Sequence, residues 1–286
     1  MKIAISVESS ADMPKELLKE KNVYCVPFTV FLGKDEYADG EISTDEMISF
    51  VKRTKTLPKT SSINRETFEK HFEKILKEND AIIHFSLSSY LSSAYDNAVA
   101  ASRLFANVKI INSESLSAGI SLLALYAKKL AEGGETFEEI IEKTEKRIPF
   151  VQVSSVIDNL DYLCLGGRCS ALKRFGANLL KLKPQIVIKN GKITSGKIYR
   201  GKYAAVVKKY EDDTFRMFDR PDTENVFVAY TTTDEPEVVK KVVEDMKDRG
   251  FKNVYLTQAG TTITSHCGEN TLGIYYINDG PYCPQI

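Results

Sequence analysis

Three clusters of side-chain hydroxyls are the first candidates for chemistry: Ser9-Ser10, Thr60-Ser61-Ser62, and Ser88-Ser89 with Ser92-Ser93. Each falls at or near the start of a predicted helix, and two directly follow a predicted strand. A helix N-terminus presents unpaired N–H groups and a partial positive charge, so it attracts anions, and a serine there can add its own hydroxyl. Serine and threonine are also favoured helix caps, and capping alone would explain any one of the three. Arg168, which follows Gly166-Gly167, is a further candidate. A glycine pair lets the backbone bend or a ligand come close, and a guanidinium grips a carboxylate or phosphate by two bonds. A helix break carrying a surface arginine would look the same.

The chain has three histidines. His71 sits in a charged helical run and is expected in solvent, whereas His84 falls inside an apolar strand pattern and is expected in the core. His266 lies in the polar segment Thr264–Asn270, read as irregular chain ahead of a strand. A neutral imidazole there can donate or accept a hydrogen bond, and a charged one would pair with a carboxylate. Cys267 beside it suggests a Cys/His acyl hydrolase, and Ser92 or Ser93 a Ser/His one. Adjacent loop side chains seldom converge, and there is neither a GxSxG elbow nor a nameable acid partner. A sugar- or keto-phosphate binder using the same helix N-termini is a third reading. No GxGxxG or Walker A pattern is present, which argues against nucleotide binding.

The elements that would position these residues alternate. Strands are predicted at 2–7, 23–31, 81–86 and 108–112, with helices from Pro14 and over 44–54, 65–78, 89–106, 115–132 and 136–147. Such alternation predicts a mainly parallel sheet covered on both faces, with ligands beyond the carboxyl ends of its strands. Pro27 within 23–31 marks an edge strand or a bulge. Further on, strands are predicted at 152–157, 225–232, 253–257 and 273–278, with helices at 202–219 and 235–248. The stretch 159–182 reads as helix broken by Gly166-Gly167. Asn190-Gly191 joins 185–189 to 192–199 as a hairpin, so this second sheet is mixed. The fold class is α/β, with an N-terminal domain over 1–149 and a C-terminal domain over 150–286.

Composition narrows the function. Lys+Arg and Asp+Glu both total 39 in 286 residues, so the net charge is zero and a broad nucleic-acid surface is not expected. The five cysteines are odd in number and form no CxxC pair, which argues against a zinc site or a disulfide framework and for reduced thiols in a cytosol. The most apolar stretch after the N-terminus, Ala118 to Ala127, is about half of what a spanning helix needs. These features describe a cytoplasmic protein with no integral membrane segment, no metal and no cofactor.

Seven segments in chain order carry a resemblance: IAISVESSADMP (3–14), PKTSSIN (58–64), LSSYLSSAYDNA (87–98), INSESLSAGISLL (111–123), LDYLCLGGR (160–168), LLKLKPQIVIKNGKI (179–193) and SHCGENTLGI (265–274). Together they resemble the DegV family, whose members include the fatty-acid-binding subunits of bacterial fatty acid kinase. The resemblance implies a two-domain α/β fold holding one long-chain fatty acid, its tail buried and its carboxylate near the surface. By motif position the carboxylate contacts fall on Thr60, Ser61, Ser92, Ser93 and His266, with Arg168 and Arg200 near the head group or on a docking face. It also implies a separate ATP-dependent kinase subunit that makes the acyl phosphate for phospholipid synthesis, leaving this chain as a binding subunit without its own catalysis. Apolar helix faces supply tail-lining candidates, chiefly Leu116, Ile120, Phe175 and Leu179. The chain departs from the family pattern at Glu8 (usually aspartate), at Ser62-Ile63 (usually Gln-Pro), at Ser93-Ala94 (usually Gly-Thr) and at Glu269-Asn270 (usually Pro-Gly).

Overall fold

Short β-branched runs separated by amphipathic segments fold as the alternation predicts. The computed structural model describes residues 1–158, 160–168 and 182–278. Strand β1 (Ile3–Glu8) leads through a 3-10 turn (Ser9–Ala11) and helix α1 (Lys15–Glu20) to β2 (Val23–Val26). Then come β3 (Thr29–Leu32), β4 (Asp35–Ala38), α2 (Thr44–Thr54) and β5 (Lys59–Ser61). Helix α3 (Arg65–Leu76), β6 (Ala81–Ser86), α4 (Ala94–Ser102), β7 (Val108–Asn112), α5 (Ala118–Glu132) and α6 (Phe137–Arg147) follow. The remaining chain gives β8 (Val151–Val156), α7 (Asp161–Leu165), β9 (Lys183–Lys189), β10 (Lys192–Tyr199) and α8 (Tyr203–Met217). It closes with β11 (Pro221–Tyr230), α9 (Pro236–Asp248), β12 (Asn253–Gln258), α10 (Thr261–Cys267) and β13 (Leu272–Asn278).

Among the described residues these strands form three sheets. One is wholly parallel, in the order β2-β1-β6-β7. The second is mixed, in the order β10-β9-β8-β13-β11-β12, with β11 and β12 its parallel pair. The hairpin β9–β10 turns at Asn190 and Gly191, both at positive φ (49° and 75°), as a type I′ turn requires. The third, antiparallel sheet β4-β3-β5 was not expected from the sequence. Its strands are three or four residues long, and two of them are polar, so no apolar run announces them. Pro27 divides the strand expected at 23–31: it has no N–H to give a ladder, so β2 stays at the parallel sheet's edge and β3 crosses to the small one.

Helix α5 binds the layers together. Its first half is buried almost all round, including Ile120, Leu122 and Leu123. It packs against β1 and β6 of the parallel sheet and against β8, β11 and β13 of the mixed one. A helix apolar on every side is one with neighbours on every side. On the far face of the mixed sheet, Val226, Val228, Ile274 and Tyr276 form a separate core with α8 and α9.

His71 is not in solvent: it is half-buried, its Nε2 lies 2.8 Å from Ser6 Oγ, and burial followed by the His84 ring pushes its pKa down to about 3. His84 is fully buried, as expected. Cys25 and Cys267 are free, whereas Cys164 is disulfide-bonded, against the reading of reduced thiols. Among the described residues no helix is long and apolar enough to cross a membrane.

Candidate functional site

A cavity of about 340 Å³ lies beyond the carboxyl ends of β6 and β7, against the face of the mixed sheet that looks toward α5. That is within the roughly 300–1,000 Å³ typical of small-molecule sites. Strand alternation builds its floor. Val153 and Ser155 of β8, Ile186 and Ile188 of β9, Ile193 of β10, Ala229 of β11 and Tyr275 of β13 all line it. Register places Ser155, Gly273 and Ala229 side by side across β8, β13 and β11. This row of small residues leaves a trough. A Cβ on Gly273 would stand 2.5–2.6 Å from the Tyr275 ring and Ser155 Oγ, so the glycine keeps that row low.

Polar groups gather at one end. Thr60 and Ser61 come from β5, Ser62 from the loop after it, and Ser92 and Ser93 from the turn before α4. Ser62 Oγ and Ser93 Oγ are 2.8 Å apart. Asn64 caps α3, and Ser93 stands at the start of α4 without a capping bond, whereas Ser92 Oγ accepts from Ala94 N (3.2 Å), the first N–H of α4. The α2 and α6 caps are Ser43 and Thr136, each in a reciprocal box with a glutamate three residues on. Capping therefore accounts for Ser92 but not for Thr60, Ser61, Ser62 or Ser93.

His266 completes the mouth, from a helix the sequence did not reveal. The segment expected to be irregular, Thr264–Asn270, is helical as far as Cys267: it ends α10, a short helix of threonines and serine whose N-terminus is fixed from outside. Asp12 Oδ1 accepts from Gly260 N (2.8 Å), and Asp39 Oδ1 from Thr261 N (2.8 Å). Burial pushes the Asp12 carboxyl up to about 8, against the hydrogen bonds from Ser117 and Gly260. At the other end of α10, His266 Nε2 sits 2.9 Å from Thr60 Oγ1, while Nδ1 is buried without a partner. Burial, with Arg168 adding repulsion, pushes its pKa down to about 4, so the ring is neutral at pH 7. Gly166 is what allows the ring to lie there: a Cβ at that position would be 2.3 Å from Nδ1.

Arg168 lines the cavity, but its guanidinium is engaged by backbone. Nη1 donates to the Gly166 carbonyl (2.6 Å), and Nε and Nη2 donate to the Leu91 carbonyl (3.3 and 3.1 Å). It ties the end of α7 to the Ser88–Ser93 turn. Arg200 is elsewhere, in an open cleft beside Lys197, Lys209 and Arg216 on the α8 side. Leu116 lines the cavity, whereas Ile120 is fully buried core on α5 and does not. Phe175 and Leu179 lie outside the described residues. The floor residues of β8 to β11 and β13 escaped the sequence reading, because only register shows which strand face looks into a cavity. Cys267 also lines it, with its thiol pushed up to about 12 by burial. Among the described residues no group of three or more potential ligands is arranged to hold a metal.

The model of the DegV family matches residues 2–279. The chain is 29% identical over 284 residues to the Fatty acid-binding protein of Thermotoga maritima, covering 96% of both chains. A DegV family protein from Thermus thermophilus, whose structure is described as fatty acid binding, superposes with a TM-score of 0.88 at 25% identity, over 97% of this chain and 100% of that one. A stearic acid-binding protein from Eubacterium ventriosum superposes at 0.83 with 26% identity, over 96% of this chain and 98% of that one.

Proposed function

We propose that this chain, which belongs to the DegV family, holds one long-chain fatty acid between its parts 1–149 and 150–286 and presents the carboxylate to a separate kinase subunit. The observation that carries the first half is an apolar trough closed at one end by five hydroxyls and a neutral imidazole. Burying about fifteen methylenes at roughly 0.8 kcal/mol each gives on the order of 12 kcal/mol before association costs. The tail thus supplies affinity and the mouth supplies orientation. The fatty acids bound by similar proteins support the same ligand class.

The head group meets hydroxyl donors, with His266 acting through Thr60. A neutral imidazole that donates Nε2–H to Thr60 Oγ1 leaves the threonine O–H free to donate outward to a carboxylate. Ser61 and Ser93 are exposed and Ser62 and Ser92 half-buried, so a carboxylate at this end lies within reach of a second protein. The chain has no phosphate-binding glycine motif, so ATP would come with a partner. A kinase subunit would transfer the γ-phosphoryl group to a carboxylate oxygen, giving the acyl phosphate and ADP. The hydrolase reading is weaker. His266 Nε2 faces Thr60 instead of Ser92 or Ser93, and no carboxylate among the described residues bonds Nδ1.

Native mass spectrometry of protein purified without added ligand tests the first half: the expected result is added mass matching a long-chain fatty acid. Protein that stays ligand-free after a series of fatty acids is offered would overturn it. Acyl phosphate formed only when kinase subunit, ATP and loaded chain are all present tests the second half. Turnover of an acyl ester by this chain alone would favour the hydrolase.

A further inference from the structure

Glu8 is the one fully buried carboxylate at the end of β1, and neither the trough nor the mouth includes it. Its Oε2 accepts from Leu87 N (2.9 Å) and from Ser10 Oγ (3.3 Å). Its Oε1 accepts from Ser86 Oγ (2.6 Å) and stands 3.7 Å from His84 Nε2. Behind it, His84 Nδ1 lies 3.0 Å from Ser6 Oγ, which is in turn 2.8 Å from His71 Nε2. Burying a carboxylate is costly unless hydrogen bonds satisfy it, and satisfied ones fix their neighbours in place. The groups so fixed are the last residue of β6 and the first of the turn that follows. That turn carries Leu87, Leu91, Ser92 and Ser93 into the cavity wall. Within it, Leu91 N and Ser92 N both donate to the Ser88 carbonyl, so a root held at Leu87 sets where the serines point.

Accepting the fatty-acid reading above, we propose that Glu8 is the positioning residue of the mouth, holding the Ser92-Ser93 hydroxyls on the ligand carboxylate through the Ser86–Leu87 root. Glutamine at this position would keep one acceptor but turn an amide N–H₂ toward a donor. Aspartate keeps both oxygens and the charge but falls one methylene short of Leu87 N.

The test titrates the wild type, Glu8→Gln and Glu8→Asp with oleate and with oleyl alcohol, which share a tail and differ in head group. Expected are a roughly tenfold loss of oleate affinity in Glu8→Gln, an intermediate loss in Glu8→Asp, and alcohol affinity within about twofold of wild type in both. Should Glu8→Gln fail to fold, Ser86→Ala leaves the carboxylate and removes one donor, with about a threefold loss expected for oleate alone. Equal loss for both ligands would make Glu8 a general fold support and overturn the inference, as would unchanged oleate affinity. A wild type that binds neither ligand overturns the fatty-acid reading itself, and this inference with it.

Discussion

The two ends of the cavity are built by opposite means. The trough is regular: alternate residues of neighbouring strands in register, with a row of small side chains across β8, β13 and β11. The mouth is irregular: a strand end, a loop, a turn and a short helix, held by single hydrogen bonds such as Thr60 to His266 and Ser62 to Ser93. Area removed from water grows with every methylene and hardly depends on angle, so the trough tolerates small shifts. A hydrogen bond weakens steeply with angle and distance, so the mouth does not. Changes in the trough should therefore act on every ligand with a tail, and changes in the mouth only on those with a carboxylate.

The largest effect should come from filling the trough. Ala229→Phe should weaken oleate and oleyl alcohol alike by about 100-fold, roughly 2.8 kcal/mol, by calorimetry on protein whose thermal melt shows it folded. A loss confined to oleate would break the comparison. Next, Thr60→Val removes the mouth hydroxyl that His266 orients while keeping the side chain's shape, and about a tenfold loss is expected for oleate with none for the alcohol. Gly166→Ala sharpens the same point. Its Cβ must push the His266 ring, and a loss of about fivefold for oleate alone is expected, near 1 kcal/mol.

How far the sequence foretold this follows the same division. The parallel sheet, the hairpin and the hydroxyl clusters were legible, because period-two patterns, Asn-Gly turns and local composition are properties of short stretches. The trough was not. Ile186, Ala229 and Tyr275 are ordinary strand residues until register sets them on one face, and Ile120 looked no different from Leu116 although one is core and the other lines the cavity. Helix α10 was hidden because its threonines and serine read as loop, and its N-terminus is held by Asp12 and Asp39, more than two hundred positions away. Arg168 was legible as a residue near the site, but its bonds to the Leu91 and Gly166 carbonyls were not.

The smallest expected effect concerns pH. Burial lowers the His266 pKa from 6.5 to about 4, so the ring stays neutral between pH 8 and pH 6 and contributes no charge to the mouth. Affinity for oleate, measured below its aggregation limit, should change less than about twofold across that range. A tenfold rise on acidification would mean a cationic histidine. The same lowered value has a sign for stability. The unfolded chain takes up a proton near pH 6.5 that the folded chain refuses until about 4, so His266 by itself lowers the melting temperature as pH drops through that window, as does His71, while the raised Asp12 acts in the opposite direction. A His266→Asn variant should show a shallower fall.

Carbon-13 NMR of the protein loaded with oleate labelled at its carboxyl carbon tests the central claim most directly, because it reports binding and placement together. One bound carboxyl resonance is expected, distinct from free oleate, that moves in Thr60→Val and stays unchanged in a conservative trough variant such as Ile188→Val. A bound resonance indifferent to Thr60→Val, or none after saturation with oleate, would contradict it.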